Sequence, residues 1–135
     1  MPLTITTKYL GDLRTESTHL KSKSILITDA PVDNNGKGEA FSPTDLLATS
    51  LATCMLTIMG IAAKNKGLNI DDTQCEVTKV MSSTPRKVSE IIVEFKFPKN
   101  SFDESQKQML RDAANSCPVA LSLHPDLKKN VIFNF

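Results

Sequence analysis

The sequence predicts an α+β domain, a strongly bent antiparallel sheet folded around one long buried helix. Three observations carry that expectation. Residues 46–63 hold no charged side chain, and a helix apolar on all sides is either a core helix or a membrane span. Residues 87–97 place Ile91, Val93, Phe95 and Phe97 on one parity and Glu94 and Lys96 on the other, the pattern of a half-buried strand. Residues 4–28 form short alternating runs rich in Thr and Ile, broken by turn residues.

Taken in order, residues 4–9 read as a first strand, Gly11-Asp12 as a turn, and residues 13–20 and 24–28 as two further strands of an antiparallel meander. Residues 29–40 contain Pro31, Asn34, Asn35, Gly36 and Gly38 and predict a mobile loop. Ser42 is a suitable N-cap, Pro43 suits the first helical position, and Asp45 sits where the helix dipole favours an acid. The long helix then runs to about Lys66 and stops at Gly67. It is about 36 Å long at 1.5 Å per residue. Residues 74–82 carry Cys75, Val77 and Met81 on one parity, and Ser83-Thr-Pro-Arg86 connects them to the strand at 87–97 as a hairpin. Ser101 and Glu104 have capping-box spacing and predict a second helix to about Ala114. A short third helix is expected to start at Cys117-Pro118 and end before His124-Pro125, with a closing strand at 131–135. No repeat, low-complexity stretch or linker divides the chain, so residues 1–135 read as a single domain.

Composition excludes several function classes. The formal net charge is +1, so no strong field points to nucleic acid, anionic lipid or an acidic partner. Trp is absent and aromatics make up 5%, too few for a base-stacking platform. The start lacks a basic segment followed by an apolar one, so it does not read as a signal peptide. Ser50, Thr49, Thr53, Thr57 and Gly60 dilute the uncharged stretch, which favours a buried core helix over a membrane span. Three widely spaced cysteines fit a reducing compartment, and the expected location is the cytoplasm. No G-x-G-x-x-G, G-x-x-x-x-G-K or H-E-x-x-H pattern occurs, and no cofactor is expected.

The cysteines are the remaining candidates for chemistry. Cys54 lies on the apolar helix with Ser50, Leu51, Met55 and Ile58 around it. No cation lies within one helical turn, and an apolar setting raises a thiol pKa. Cys54 is therefore either a core residue or a thiol activated by a charge from elsewhere in the chain. Cys117 precedes Pro118 and would sit at a helix N-terminus, where the dipole stabilises a thiolate. Read locally, Cys117 is the lower-pKa thiol, or else a small cap residue. Cys75 has apolar neighbours on its strand parity and reads as structural. His19 and His124 lack metal-site spacing to one another or to the cysteines.

The segment Phe41-Ser-Pro-Thr-Asp-Leu-Leu-Ala-Thr-Ser-Leu-Ala-Thr-Cys54 resembles the start of the central helix in the OsmC/Ohr family of peroxide-reducing proteins. Asn115-Ser-Cys-Pro-Val-Ala-Leu-Ser-Leu123 resembles the second cysteine segment of that family, and Cys117 follows Cys54 by 63 residues, a separation that suits it. The order of elements is similar along nearly the whole chain. Residues 13–19 and 28–31 look like the shorter OsmC-like branch.

The resemblance implies a cysteine-based peroxidase. Cys54 would be the peroxidatic thiol, oxidised to a sulfenic acid, and Cys117 the resolving thiol that closes a disulfide. An external dithiol, of lipoyl type in this family, would reduce it. Arg14 occupies the position of the family arginine that stands beside the thiolate and would supply the missing cation. Family enzymes carry a glutamate ten residues before the peroxidatic cysteine, which orients that arginine. Here the position is Thr44, and Asp45 either takes over the orienting role or only stabilises the helix start. The resemblance thus assigns the attack to Cys54, whereas local electrostatics favour Cys117 as the thiolate. It also implies an intertwined homodimer acting on organic or hydrogen peroxide. The rival readings are a thiol protein acting on another electrophile, and a redox-sensing or small-molecule-binding protein without efficient turnover. The C-terminal order of strands and helices is also similar to KH-type modules, but a G-x-x-G loop and a basic surplus are missing.

Overall fold

Strands β1 (Ile5–Gly11), β2 (Arg14–His19) and β3 (Ile25–Asp29) form an antiparallel sheet in the order β1-β2-β3. The computed structural model describes all residues, Met1–Phe135, and this sheet belongs to the first of two compact units, Met1–Leu46 and Leu47–Phe135. The β1–β2 turn has two residues, Asp12 at φ 53° and Leu13 at φ 63°, both left-handed as a tight hairpin of this hand requires. A leucine in that region is uncommon, and the surroundings hold it there. Its N–H donates to the Tyr9 hydroxyl at 3.2 Å and its carbonyl accepts from Ala30 N–H at 3.0 Å. Ile5, Tyr9, Leu10, Leu13, Ile25 and Leu26 are all exposed in the single chain.

The loop after β3 differs from the expectation of mobility. It contains a 3-10 turn at Val32–Asn34 and is tied down at both ends. Asp29 N–H donates to Phe41 O, Gly38 N–H donates to Ala30 O, and the N–H groups of Asn34 and Gly36 both donate to Pro31 O. Gly36 makes this packing possible, because a Cβ there would lie 1.7 Å from Ala30 O. Gly36→Ala is therefore expected to destabilise the protein by about 1–3 kcal/mol through forced backbone movement. Urea titration checks this, and an unchanged midpoint would refute it.

Helix α1 (Pro43–Asn65) starts where its signals predict. Ser42 Oγ accepts from Asp45 N–H at 3.0 Å while Asp45 Oδ2 accepts from Ser42 N–H at 2.9 Å, a reciprocal capping box. It stops at Gly67, whose φ of 69° suits a left-handed cap, with Leu68 N–H donating to Ala63 O and Gly67 N–H to Lys64 O. By length and composition this helix is apolar enough to cross a membrane, with 33% of its most apolar window buried inside the protein. Burial within the chain is one-sided, in contrast to the expected all-round burial. Ala48, Leu51, Ala52, Met55, Met59 and Ala63 form the buried stripe, whereas Leu47 and Ile61 are exposed.

The second unit holds a sheet ordered β4-β5-β6, from strands β4 (Gln74–Ser83), β5 (Arg86–Lys96) and β6 (Lys128–Asn134). Strands β4 and β5 form the expected hairpin, with a cis Thr84–Pro85 bond in its turn. Strand β6 runs parallel to β5, so the chain has two sheets, one of them mixed, in place of a single antiparallel one. The reason is connectivity: α2 (Glu104–Asn115) and α3 (Pro118–Ser122) lie between β5 and β6 and return the chain to the same end of the sheet. Helix α2 begins two residues later than the Ser101–Glu104 spacing suggested. Asp103 is its cap, accepting from Gln106 N–H at 2.8 Å, and Gln106 Oε1 accepts from Asp103 N–H at 3.0 Å. The α1 stripe, Ile91, Val93 and Phe95 of β5, Leu110 and Ala114 of α2, and Cys117 and Ala120 make one core.

Candidate functional site

In the second unit, Cys54 lies about three turns into α1, half-buried and beside the core stripe. Cys117 is fully buried and caps α3, its Sγ accepting from Ala120 N–H at 3.3 Å. Pro118 sets the first helical position behind it. All three cysteines are free thiols. Cys54 and Cys117 come together: Cys54 acts on Cys117 both as a hydrogen-bond partner and as a neighbouring charge.

The local expectation that Cys117 is the lower-pKa thiol is corrected by its surroundings. Burial pushes the Cys117 thiol above its ordinary value, outweighing the N–H groups of Ala120 and Val119, and Cys54 raises it further. A five-residue helix offers only a short dipole against that desolvation. Iodoacetamide labelling makes the difference measurable. Cys54 is expected to react at least about tenfold faster than Cys117 near neutral pH, because it is the more accessible thiol. The Cys117 rate should keep climbing above the ordinary thiol pKa of about 8.5, since a raised pKa delays thiolate formation to higher pH. Equal rates at the two cysteines would contradict this picture.

Cys75 sits on β4 opposite Phe95, and burial, assisted by the Glu76 charge, pushes its pKa up to about 11. That is an inert thiol, as its strand parity suggested. His19 Nδ1 lies 2.6 Å from Ser22 Oγ in the β2–β3 turn, and His124 Nδ1 accepts from Asp126 N–H at 3.0 Å. No three His, Cys, Asp or Glu side chains stand together as a metal-binding group.

In the first unit, Arg14 is the first residue of β2 and the direct cross-strand partner of Asp29 on β3. Its Nε donates to Asp29 Oδ1 at 2.6 Å and its Nη2 to Asp29 Oδ2 at 2.8 Å. This is a two-point fork, the geometry a guanidinium is built for. Asp29 is 1% exposed, and its Oδ2 also accepts from Glu39 N–H at 3.1 Å. The Glu39 carboxylate stands 3.6 Å from Arg14 Nη2 on the exposed side. The hydrogen bonds from Arg14 hold the Asp29 carboxyl below its usual range, and Asp29 in turn raises Arg14. Asp45 closes the α1 capping box, and Thr44 Oγ1 lies 3.2 Å from Ser42 Oγ.

Asp29 and Glu39 are the residues that sequence reading missed. The expected strand limits, 13–20 and 24–28, centre the hairpin on residue 22 and would pair position 14 with position 30, one residue away from the observed partner Asp29.

The family model described as OsmC-like protein matches residues 36–131. A crystal structure of a candidate osmotic stress induced and detoxification response protein from Psychrobacter arcticus is 51% identical, with a TM-score of 0.95, over 99% of this chain and 97% of that one. An organic hydroperoxide resistance protein OsmC from Legionella pneumophila has the same fold at 16% identity, with a TM-score of 0.76 over 98% of each chain. OhrB, an organic hydroperoxide resistance protein from Bacillus subtilis, matches at 18% identity, with a TM-score of 0.61 over 96% of each chain. The comparison with curated proteins returned no match. Its α+β fold of two sheets and three helices is that of these structures, and the chain belongs to the OsmC-like family.

Proposed function

We propose that this protein is a cytoplasmic, cofactor-free thiol peroxidase that reduces organic hydroperoxides, and hydrogen peroxide as a second substrate. The observation that carries the reading is the pairing of a half-buried thiol, Cys54, with a fully buried one, Cys117, that is held above its ordinary pKa. Such a pair divides the labour: one sulfur meets the substrate and the other waits as a neutral thiol. The names of the Legionella and Bacillus relatives support the substrate class.

In the proposed cycle, the Cys54 thiolate attacks the O–O bond of R–OOH. The bond breaks, Cys54 becomes a sulfenic acid, and the alkoxide takes a proton to leave as R–OH. Cys117 then attacks the sulfenic sulfur, releasing water and forming the Cys54–Cys117 disulfide. A dithiol of lipoyl type reduces that disulfide by two exchange steps and leaves as its own cyclic disulfide. By the family resemblance, Arg14 and Asp45 are carried as the further site residues of the proposal. A homodimer is part of the proposal. Six large apolar side chains of the β1–β3 sheet and Leu47 and Ile61 of α1 are exposed in the single chain, more than a monomer of this size ordinarily leaves uncovered.

Steady-state peroxide consumption with a lipoyl dithiol tests the reading. Many equivalents consumed per protein are expected, and oxidation that stops after one equivalent would replace the peroxidase with a sensor. One observation favours that second reading: Arg14 is paired with both Asp29 and Glu39, so the cluster carries no surplus positive charge.

A further inference from the structure

We propose that the cleft between the first turns of α1, the start of β5 and the turn from α3 to β6 binds a small carboxylate with an apolar body. All residues that line the cleft belong to the second unit, and its volume is about 340 Å³. That lies in the range of small-ligand sites, which are apolar hollows with a few polar groups that fix orientation. Neither sulfur of the cysteine pair lines it, so the site is independent of the peroxidase reading.

Leu47 of α1, Val88 of β5, and Leu123 and Leu127 of the α3–β6 turn supply the apolar wall. Val88 is 6% exposed and Leu127 8%, and both belong to the core, so the floor of the cleft is anchored in the body of the unit. The turn is pinned from within: Leu127 N–H donates to His124 O at 3.0 Å, and Asp126 N–H donates to His124 Nδ1 at 3.0 Å. A hollow already built spares a ligand the cost of ordering its walls. Leu47 precedes Cys54 by two turns on the same face of α1, and Ser122, also in the lining, ends the helix that Cys117 caps. A molecule seated here would touch both elements that carry the cysteine pair.

The rim sets the sign of the ligand. Its ionisable side chains are Lys87, His124 and Asp126. Asp126 stands 3.7 Å from His124 Nδ1, whereas Lys87 enters no ion pair. Because Nδ1 accepts the Asp126 N–H, the proton of the neutral ring sits on Nε2, which is a donor. The Ser122 hydroxyl is spent on Pro118 O. The cleft thus offers one unpaired ammonium and one ring N–H, which match a single carboxylate. A dianionic head group would meet Asp126 and find no second free cation in the lining.

The test is titration of the full chain with octanoate, followed by calorimetry and by the methyl resonances of the leucines, valines and isoleucines. Saturable binding with a Kd below about 1 mM is expected. Shifts are expected at Leu47, Val88, Leu123 and Leu127, and none at Leu68 or Ile70, which line other clefts of the unit. Acetate, which carries the head group alone, should not saturate in that range. Lys87→Glu changes an exposed side chain and should weaken octanoate at least about tenfold. The same variant should turn the preference toward octylammonium, which has the same apolar body and the opposite charge. Octanoate that fails to saturate, or that shifts Leu68 and Ile70 alone, overturns the proposal. So does a wild type that binds octanoate and octylammonium equally, a comparison that holds even where Lys87→Glu does not fold. Undiminished octanoate binding by Lys87→Glu, or octyl phosphate binding at least about tenfold more tightly than octanoate, overturns the assigned head group and the proposal with it. Peroxide enters none of these measurements, so failure of the peroxidase reading would leave the site standing.

Discussion

Cys54→Ser is expected to bring peroxide consumption down to the uncatalysed background, a loss of at least about a thousandfold. A serine hydroxyl in this half-buried setting has no accessible anion, so the nucleophile is gone. Cys117 cannot replace it, being fully buried and pushed above its ordinary pKa. Cys75 is disqualified by a pKa of about 11. Cys117→Ser should behave differently, reacting once and stopping with a sulfenic acid on Cys54. Intact mass before and after one equivalent of cumene hydroperoxide separates the cases. Wild type should lose two hydrogens, Cys117→Ser should gain one oxygen, and Cys54→Ser should be unchanged. A Cys54→Ser protein that still gained oxygen at Cys117 would reverse the assigned roles.

Phe95→Ala should cost about 3–5 kcal/mol, a large share of the roughly 5–15 kcal/mol that holds a domain folded. Phe95 is 0% exposed on the central strand of the second sheet. Its ring lies 5.4 Å from Phe133 on the neighbouring strand and 6.5 Å from Phe97. Phe97 continues the array to Phe135 at 4.6 Å and to Phe102, just ahead of α2, at 6.5 Å. Removing the ring therefore opens a cavity that a sheet cannot close by shifting one side chain. Chemical denaturation measures the loss, and a change below about 1 kcal/mol would show that the array carries little of the stability.

The elements most legible in the sequence were those set by local chemistry. Ser42, Pro43 and Asp45 announced α1 because capping uses groups three residues apart, and Gly67 announced its end because few other residues accept that backbone. The alternation of Ile91, Val93 and Phe95 gave β5, which is buried on that parity. Pro118 gave α3 in the same way. Decisions made at a distance were not legible. The parallel direction of β6 depends on how α2 and α3 return the chain, which no residue of β6 encodes. The capping box of α2 was ambiguous, since Ser101/Glu104 and Asp103/Gln106 share one spacing, and only the second forms. At the site, the two cysteine segments were found, but the sign of the Cys117 shift was not. A helix terminus is visible in sequence, whereas complete burial is a property of the whole unit. Asp29 was overlooked because it was read as the start of a loop and the expected strand limits put the hairpin register one residue away from the observed one.

The parallel pairing of β5 and β6 also orders events during folding. Cys117 lies on the crossover between those two strands, so the pairing of β6 with β5 closes the loop that carries it. Contacts across so long a separation in sequence are among the slower ones for a chain to form, and the two sulfurs are 63 residues apart. A newly made chain would therefore carry three independent thiols, as vulnerable to stray oxidants as those of any unfolded protein. Under the proposed function, a lesion that delays β6 would leave thiols exposed to oxidation without the paired arrangement of the folded unit.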